Sequence, residues 1–196
     1  MRIWGLAGCC LLGMGAVVVT APSGAQGPAI GSIATPASAI DSQLSLVEQE
    51  MMGAVKAMPA EKFGFAPSAG IFVPAQKTEF ATVRTFAQQA THVARANYFF
   101  ASTFSGLKPD MDVKELDKMT GKDEAVAALA ASFAFAHKAV ATLTPQNAFV
   151  VIKSPEPGFA TNATLAAFLV EHAYDHYGQM VEYLRMNGMV PPASAK

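Results

Sequence analysis

Cysteine is almost missing from this 196-residue chain, whose only two thiols are Cys9 and Cys10, side by side near the N-terminus. From residue 26 onward there is no thiol. This excludes a disulfide framework, a cysteine-ligated metal and a cysteine nucleophile in that part of the chain. Its fold must therefore depend on a hydrophobic core, which a single domain of about 170 residues can supply.

An excess of basic charge is also missing. The chain carries 14 lysines and arginines against 15 acidic residues, a formal net charge of −1. No stretch gathers lysine and arginine into a stripe or patch. The electrostatic footprint of a nucleic-acid-binding protein is thus lacking, and we expect no nucleic-acid partner.

Long apolar runs are confined to the N-terminus, where Arg2 precedes an apolar segment from Ile3 to Val19 and small residues follow up to Ala25. This order predicts a signal peptide over residues 1–25 and export to a bacterial periplasm or beyond, with no stable membrane insertion after cleavage. Two alternatives stay open: retention of the segment as an anchor, and lipidation of Cys9 after a lipobox-like Leu6-Ala7-Gly8. Residues 26–38, rich in Gly, Pro, Ala and Ser, predict a flexible linker.

Beyond the linker, the apolar residues recur with helical rather than strand spacing, which predicts an all-α fold. Four such segments are separated by loops rich in proline, glycine or charge, so residues 39–192 read as a four-helix bundle. The predicted helices span about Ala39–Met58, Thr85–Phe104, Asp123–Leu143 and Ala163–Asn187. In the first, a buried stripe is predicted at Leu44, Val47, Met51, Met52, Val55 and Met58.

The chemistry-bearing residues are histidines. His172 and His176 are four apart on the fourth helix, which stacks their Cβ atoms about 5–6 Å apart on one face. That spacing lets two imidazoles reach one divalent ion. His92, on the second helix, is the candidate for a third histidine ligand. From the residues alone, packed or solvent-facing histidines stay as the alternative. For His137 we expect a structural or partly exposed role.

Several short motifs together resemble those of the DinB/YfiT-like superfamily. They are the Thr85-x-x-Gln88 cap leading into Thr91-His92-Val93-Ala94, the run His172-x-x-x-His176-x-Gly178-Gln179, and Met58 to Phe63. The likeness covers roughly Ile40 to Pro192. It implies a four-helix bundle of that type in which His92, His172 and His176 hold a divalent metal, usually zinc or nickel. It also implies a metal-dependent hydrolase or thiol transferase, with an unidentified small-molecule substrate.

The residues around the fourth-helix motif leave their roles open. Gly178 in mid-helix costs about 1 kcal/mol relative to alanine, which suggests close approach of another backbone. Gln179 is expected either to contact water at the metal or to make an inter-helix contact. Asp175 is expected to be a surface carboxylate or to orient an imidazole. No carboxylate is marked by its sequence position as the general base of a hydrolase, although Glu48 and Glu50 on the first helix could reach the pocket.

Three functions therefore compete. The first is a metal-dependent enzyme with an open coordination position, the second a non-catalytic bundle that binds a metal or small ligand, and the third a structural bundle with vestigial histidines. Homodimerisation through the phenylalanine-rich third helix is a further expectation.

Overall fold

The computed structural model describes residues 29–74 and 77–195. The chain divides into two units, residues 1–32 and 33–196. Of the first unit only 29–32 are described, a turn in which the amide and hydroxyl of Ser32 both donate to the carbonyl of Ala29. The predicted signal peptide therefore lies outside the described residues. Among the helices that are described, none combines the length and apolar character that a membrane span requires.

The second unit contains four long helices, as the hydrophobic periodicity predicts. These are α1 (Pro36–Ala57), α2 (Phe86–Ser105), α3 (Lys122–Val140) and α4 (Asn162–Met186). Short 3-10 helices lie at Ala60–Lys62, Ala69–Ile71, Val113–Lys118 and Pro192–Ser194. The all-α class is confirmed, since the described residues add only one isolated β-bridge, between Val151 and Thr161.

The helix boundaries differ from the predicted ones where capping decides them. Thr35 accepts a hydrogen bond from the Ser38 amide, so α1 begins at Pro36 and the last three residues of the predicted linker are helical. At α2 the predicted capping box is confirmed: Thr85 Oγ1 accepts from the Gln88 amide while Gln88 Oε1 accepts from the Thr85 amide. Thr161 caps α4 in the same way.

Each of the first two helices packs against both of the last two, so that α2 and α4 are neighbours. The stripe predicted on α1 is buried at all six positions. On α3, Phe133 and Phe135 are buried in the core. These two phenylalanines therefore offer no apolar outer face through which a homodimer could form. The homodimer stays a prediction.

The segment between α1 and α2 fixes where α2 begins. Phe63 is buried edge-on against Phe86 at a centroid distance of 5.3 Å, and Phe65 meets Tyr183 of α4 at 5.6 Å. The carbonyls of Phe65 and Phe63 accept hydrogen bonds from the amides of Phe86 and Ala87, at 2.8 and 2.9 Å. These contacts satisfy backbone donors of the first helical turn and tie that end of α2 to α4.

His137 joins α3 to α1. Its Nδ1 lies 2.6 Å from Asp41 Oδ1 and its Nε2 lies 3.0 Å from Glu48 Oε2. Burial lowers the pKa of His137, but the hydrogen bonds to the two carboxylates outweigh burial and leave this pKa raised. The structural role expected for His137 is thus that of a hydrogen-bonded bridge between two helices.

Candidate metal centre

Three imidazoles meet where α2 faces α4. The ring centroid of His92 lies 5.1 Å from that of His172 and 4.7 Å from that of His176, and the two rings on α4 are 4.6 Å apart. One ring nitrogen from each residue falls within 4.8 Å of the others. Three nitrogens bound to one zinc ion would lie about 3.3 Å apart, so small side-chain rotations bring this group to ligand geometry. The three-histidine group could hold a metal ion.

A chain of hydrogen bonds runs outward from His176, which is only 5 % exposed. Its Nδ1 lies 2.6 Å from Gln89 Oε1. The amide nitrogen of Gln89 then donates to Gln179 Oε1 at 2.8 Å, and that of Gln179 donates to Asp175 Oδ2 at 3.0 Å. The structure thereby places Gln179 in an inter-helix contact, one of the two roles expected of it.

The direction of this chain fixes the tautomer of His176. A carboxylate accepts hydrogen bonds, so Gln179 presents its NH₂ to Asp175 and its oxygen to Gln89. Gln89 in turn presents its oxygen to His176, whose Nδ1 must carry the proton. The lone pair is left on Nε2, which is how a metal-binding histidine is oriented by its neighbours.

All three imidazoles have lowered pKa values. Burial is the main cause of the fall in the pKa of His92 to about 4, followed by the positive charge of Arg84 and the two neighbouring histidines. Burial, then His176, brings the pKa of His172 to about 4 as well. Burial also lowers the pKa of His176, against the opposing effect of Asp175. The group is therefore neutral at pH 7, as histidine ligands must be.

His172 supplies a second indication that the group suits a cation. Its Nδ1 is buried and has no hydrogen-bond partner among the described residues. An unpaired buried polar atom costs about 1–3 kcal/mol. Such a nitrogen is available to a ligand that the protein itself does not provide.

The family relationship agrees with this geometry. Residues 43–180, from the second turn of α1 to beyond His176, match the family model of the DinB superfamily. The chain belongs to the DinB superfamily. The matched region of this DinB-superfamily bundle includes the three histidines together with Gln89 and Gln179. No curated protein matches the chain.

One side of the histidine group in this DinB-superfamily protein is closed by aromatic rings. Phe100 and Phe168 meet His172 edge-on at centroid distances of 5.7 and 6.2 Å, and they meet each other at 5.1 Å. Phe159, from the loop before α4, stacks on Phe168 at 4.1 Å. These rings lower the local dielectric around the imidazoles, which accounts for the dominance of burial in their pKa values.

A carboxylate that the sequence analysis missed lies at the same cleft. Glu156 borders a cavity of about 390 Å³ that also includes His92 and His172 in its wall. Its backbone is held by Ser154, whose hydroxyl donates to the Glu156 carbonyl at 2.8 Å and accepts from the Glu156 amide at 3.2 Å. The local signal is weak: a single carboxylate between Pro155 and Pro157 in a loop has no periodicity to mark it.

Other expectations for this site need correction. Glu48 is engaged with His137, and neither Glu48 nor Glu50 borders the clefts that contain His92. The close backbone approach expected at Gly178 is wrong, because a Cβ built there meets no atom within 4 Å. Gly178 lies on the solvent side of α4 while His176 faces inward. Asp175 is exposed, as expected of a surface carboxylate, and ends the hydrogen-bond chain.

Proposed function

We propose that this protein binds one divalent metal ion, zinc or nickel, through His92, His172 and His176 and uses the open coordination position for catalysis. The observation that carries the proposal is the convergence of three neutral imidazoles from two helices within 4.8 Å. Zinc and nickel both favour imidazole ligands, and three protein ligands are typical of catalytic rather than structural zinc sites.

Bound there, a divalent metal would supply a Lewis acid that polarises a substrate and activates a nucleophile. The chain's own residues would do the rest. Gln89 holds His176 in its ligand tautomer, and Phe100 and Phe168 keep water from one side of the cleft. Glu156 is positioned at the cleft wall to accept a proton from a reacting group.

Glu156 favours hydrolysis over thiol transfer as the reaction, since hydrolysis needs a general base and a carboxylate at this cleft can take that role. Export, which we also propose from the N-terminal segment, favours the same choice because small thiols are scarce in oxidising compartments. The alternative is a bundle that holds a metal or a small ligand without turnover.

The first test is elemental analysis of the full chain, purified without a metal-affinity tag and reconstituted with zinc or nickel. We expect about one equivalent in the parent protein and its loss in both His92→Ala and the double variant His172→Ala/His176→Ala. His137→Ala is the matched control, since it removes a histidine outside the group and should retain the metal. Absence of metal from the reconstituted parent would contradict the proposal.

A second measurement separates the enzyme from the binding bundle. Ester and amide probes are assayed with the loaded parent protein, its metal-stripped form and Glu156→Gln. An enzyme loses turnover on stripping and loses most of it in Glu156→Gln while still binding metal. A metal-loaded protein that turns over none of the probes would favour the non-catalytic alternative.

A further inference from the structure

One face of α2 is lined by clefts along most of its length. Gln88, His92, Arg95 and Phe99 follow one another at helical spacing, and all four border cavities. His92 borders two of these cavities, one toward each end of the helix, and Arg95 borders all three. The histidine group therefore lies between two different environments.

Toward the N-terminal end of α2 the cleft is polar and positively charged. It has a volume of about 770 Å³, and its wall includes Arg84, Gln88, Thr91, His92, Arg95 and Asp117. Arg95 forms an ion pair with Asp117. Arg84 is exposed, and no carboxylate of the described residues lies within 4.0 Å of its guanidinium. Arg84 thus leaves an uncompensated positive charge in the cleft.

Toward the other end the clefts are mainly apolar, with Arg95 and Glu156 as the charged residues that border the cavity beside His172. The cavity of about 390 Å³ beside His172 is bordered by Phe99, Phe100 and Phe168. A second cavity, of about 450 Å³, meets it at Arg95 and Phe99 and continues past Tyr98 to Val113. Phe99 is 50 % exposed, an unusual position for an aromatic side chain at the junction of two apolar cavities.

We propose that the histidine site takes an organic anion, whose carboxylate or phosphate group lies at Arg84 and whose apolar tail runs past His92 to Phe99. A guanidinium pairs well with either anion, and apolar cavities of this size suit a small ligand. His92 and Phe99 are seven positions apart on α2, so the part of the tail between the histidines and Phe99 is about 10 Å long. The inference rests on the proposed function only in placing the reacting bond at the histidines, because anion binding itself requires no metal.

The test is calorimetric titration of the full chain, in metal-stripped and zinc-loaded forms, with octanoate, octyl phosphate, octanamide and butyrate. Octanoate and octyl phosphate carry a similar tail on different anionic groups, so their relative affinities identify the preferred anion. Octanamide keeps the tail without the charge, and butyrate keeps the charge with a short tail. We expect octanoate to bind the metal-stripped protein at least tenfold more tightly than octanamide or butyrate does.

Two variants separate the parts of the site. Arg84→Gln should weaken octanoate at least tenfold and leave octanamide unchanged, whereas Phe99→Ala should weaken both and leave butyrate unchanged. The matched controls are Arg185→Gln and Phe149→Ala, exposed residues outside these clefts, which should bind octanoate like the parent.

Octanamide binding as tight as octanoate, or octanoate binding unaffected by Arg84→Gln, would overturn the inference. The inference would also be overturned if octanoate bound only the zinc-loaded protein, with equal affinity in the parent and in Arg84→Gln. Zinc content distinguishes failure of the anion-site inference from failure of the proposed function. Arg84-dependent octanoate binding in a protein that takes up no zinc supports the anion site and contradicts the metal site.

Discussion

Gln89 determines which ring nitrogen of His176 carries the proton and which is left free for a ligand. Buried between α2 and α4, it accepts from His176 at 2.6 Å and donates to Gln179 at 2.8 Å. Replacing it with leucine, similar in volume, removes both bonds at once. His176 then loses the partner that keeps its proton on Nδ1, and its ring is free to rotate or to adopt the other tautomer.

The expected size of the effect follows from these two bonds. Loss of such a supporting partner typically lowers metal affinity 10- to 100-fold, which is about 1.4–2.7 kcal/mol of binding free energy. An imidazole N–H left unpaired at a buried position also lowers the free energy of unfolding by about 1–3 kcal/mol. We therefore expect Gln89→Leu to fold, to unfold at lower urea concentration, and to bind zinc 10- to 100-fold more weakly.

Zinc affinity is measured by competition with a chromophoric chelator, and stability by urea unfolding of the metal-stripped protein. Gln49→Leu, the same substitution at an exposed position on α1, is the matched control and should change neither quantity. Gln89→Glu keeps an acceptor for His176 and should retain most of the zinc affinity. Parent-like zinc binding by a folded Gln89→Leu protein would refute the argument that Gln89 orients a ligand.

Two further predictions concern stability. Gly178→Ala should raise the free energy of unfolding by about 1 kcal/mol, because the added methyl meets open space and alanine is the better helix former. A variant that unfolds at a lower urea concentration than the parent would show that this glycine is needed. The His137 bridge should make stability depend on pH: with its pKa raised in the folded state, its contribution is full below about pH 6.5 and is lost as pH rises through the folded pKa. Unfolding at pH 6 and pH 9 should show this loss in the parent and much less of it in His137→Asn, and an equal loss in both would contradict the bridge.

The sequence by itself determined the four helices, the cap on α2, and the shared face of α4 on which His172 and His176 lie. These features follow from local rules: a helix repeats every 3.6 residues, and a threonine with a partner three residues on satisfies its first backbone donors. The resemblance then joined His92 to the pair on α4, and the structure brings all three together.

Only the tertiary structure decided what surrounds those histidines. Gln89 and His176 are 87 residues apart in sequence, and Glu156 lies on a loop whose residues show no periodic pattern. The error at Gly178 has the same origin, since helical spacing cannot say whether a residue beside the buried stripe meets a neighbouring backbone or solvent. Partners across helices depend on how the helices pack together, which no local pattern of residues encodes.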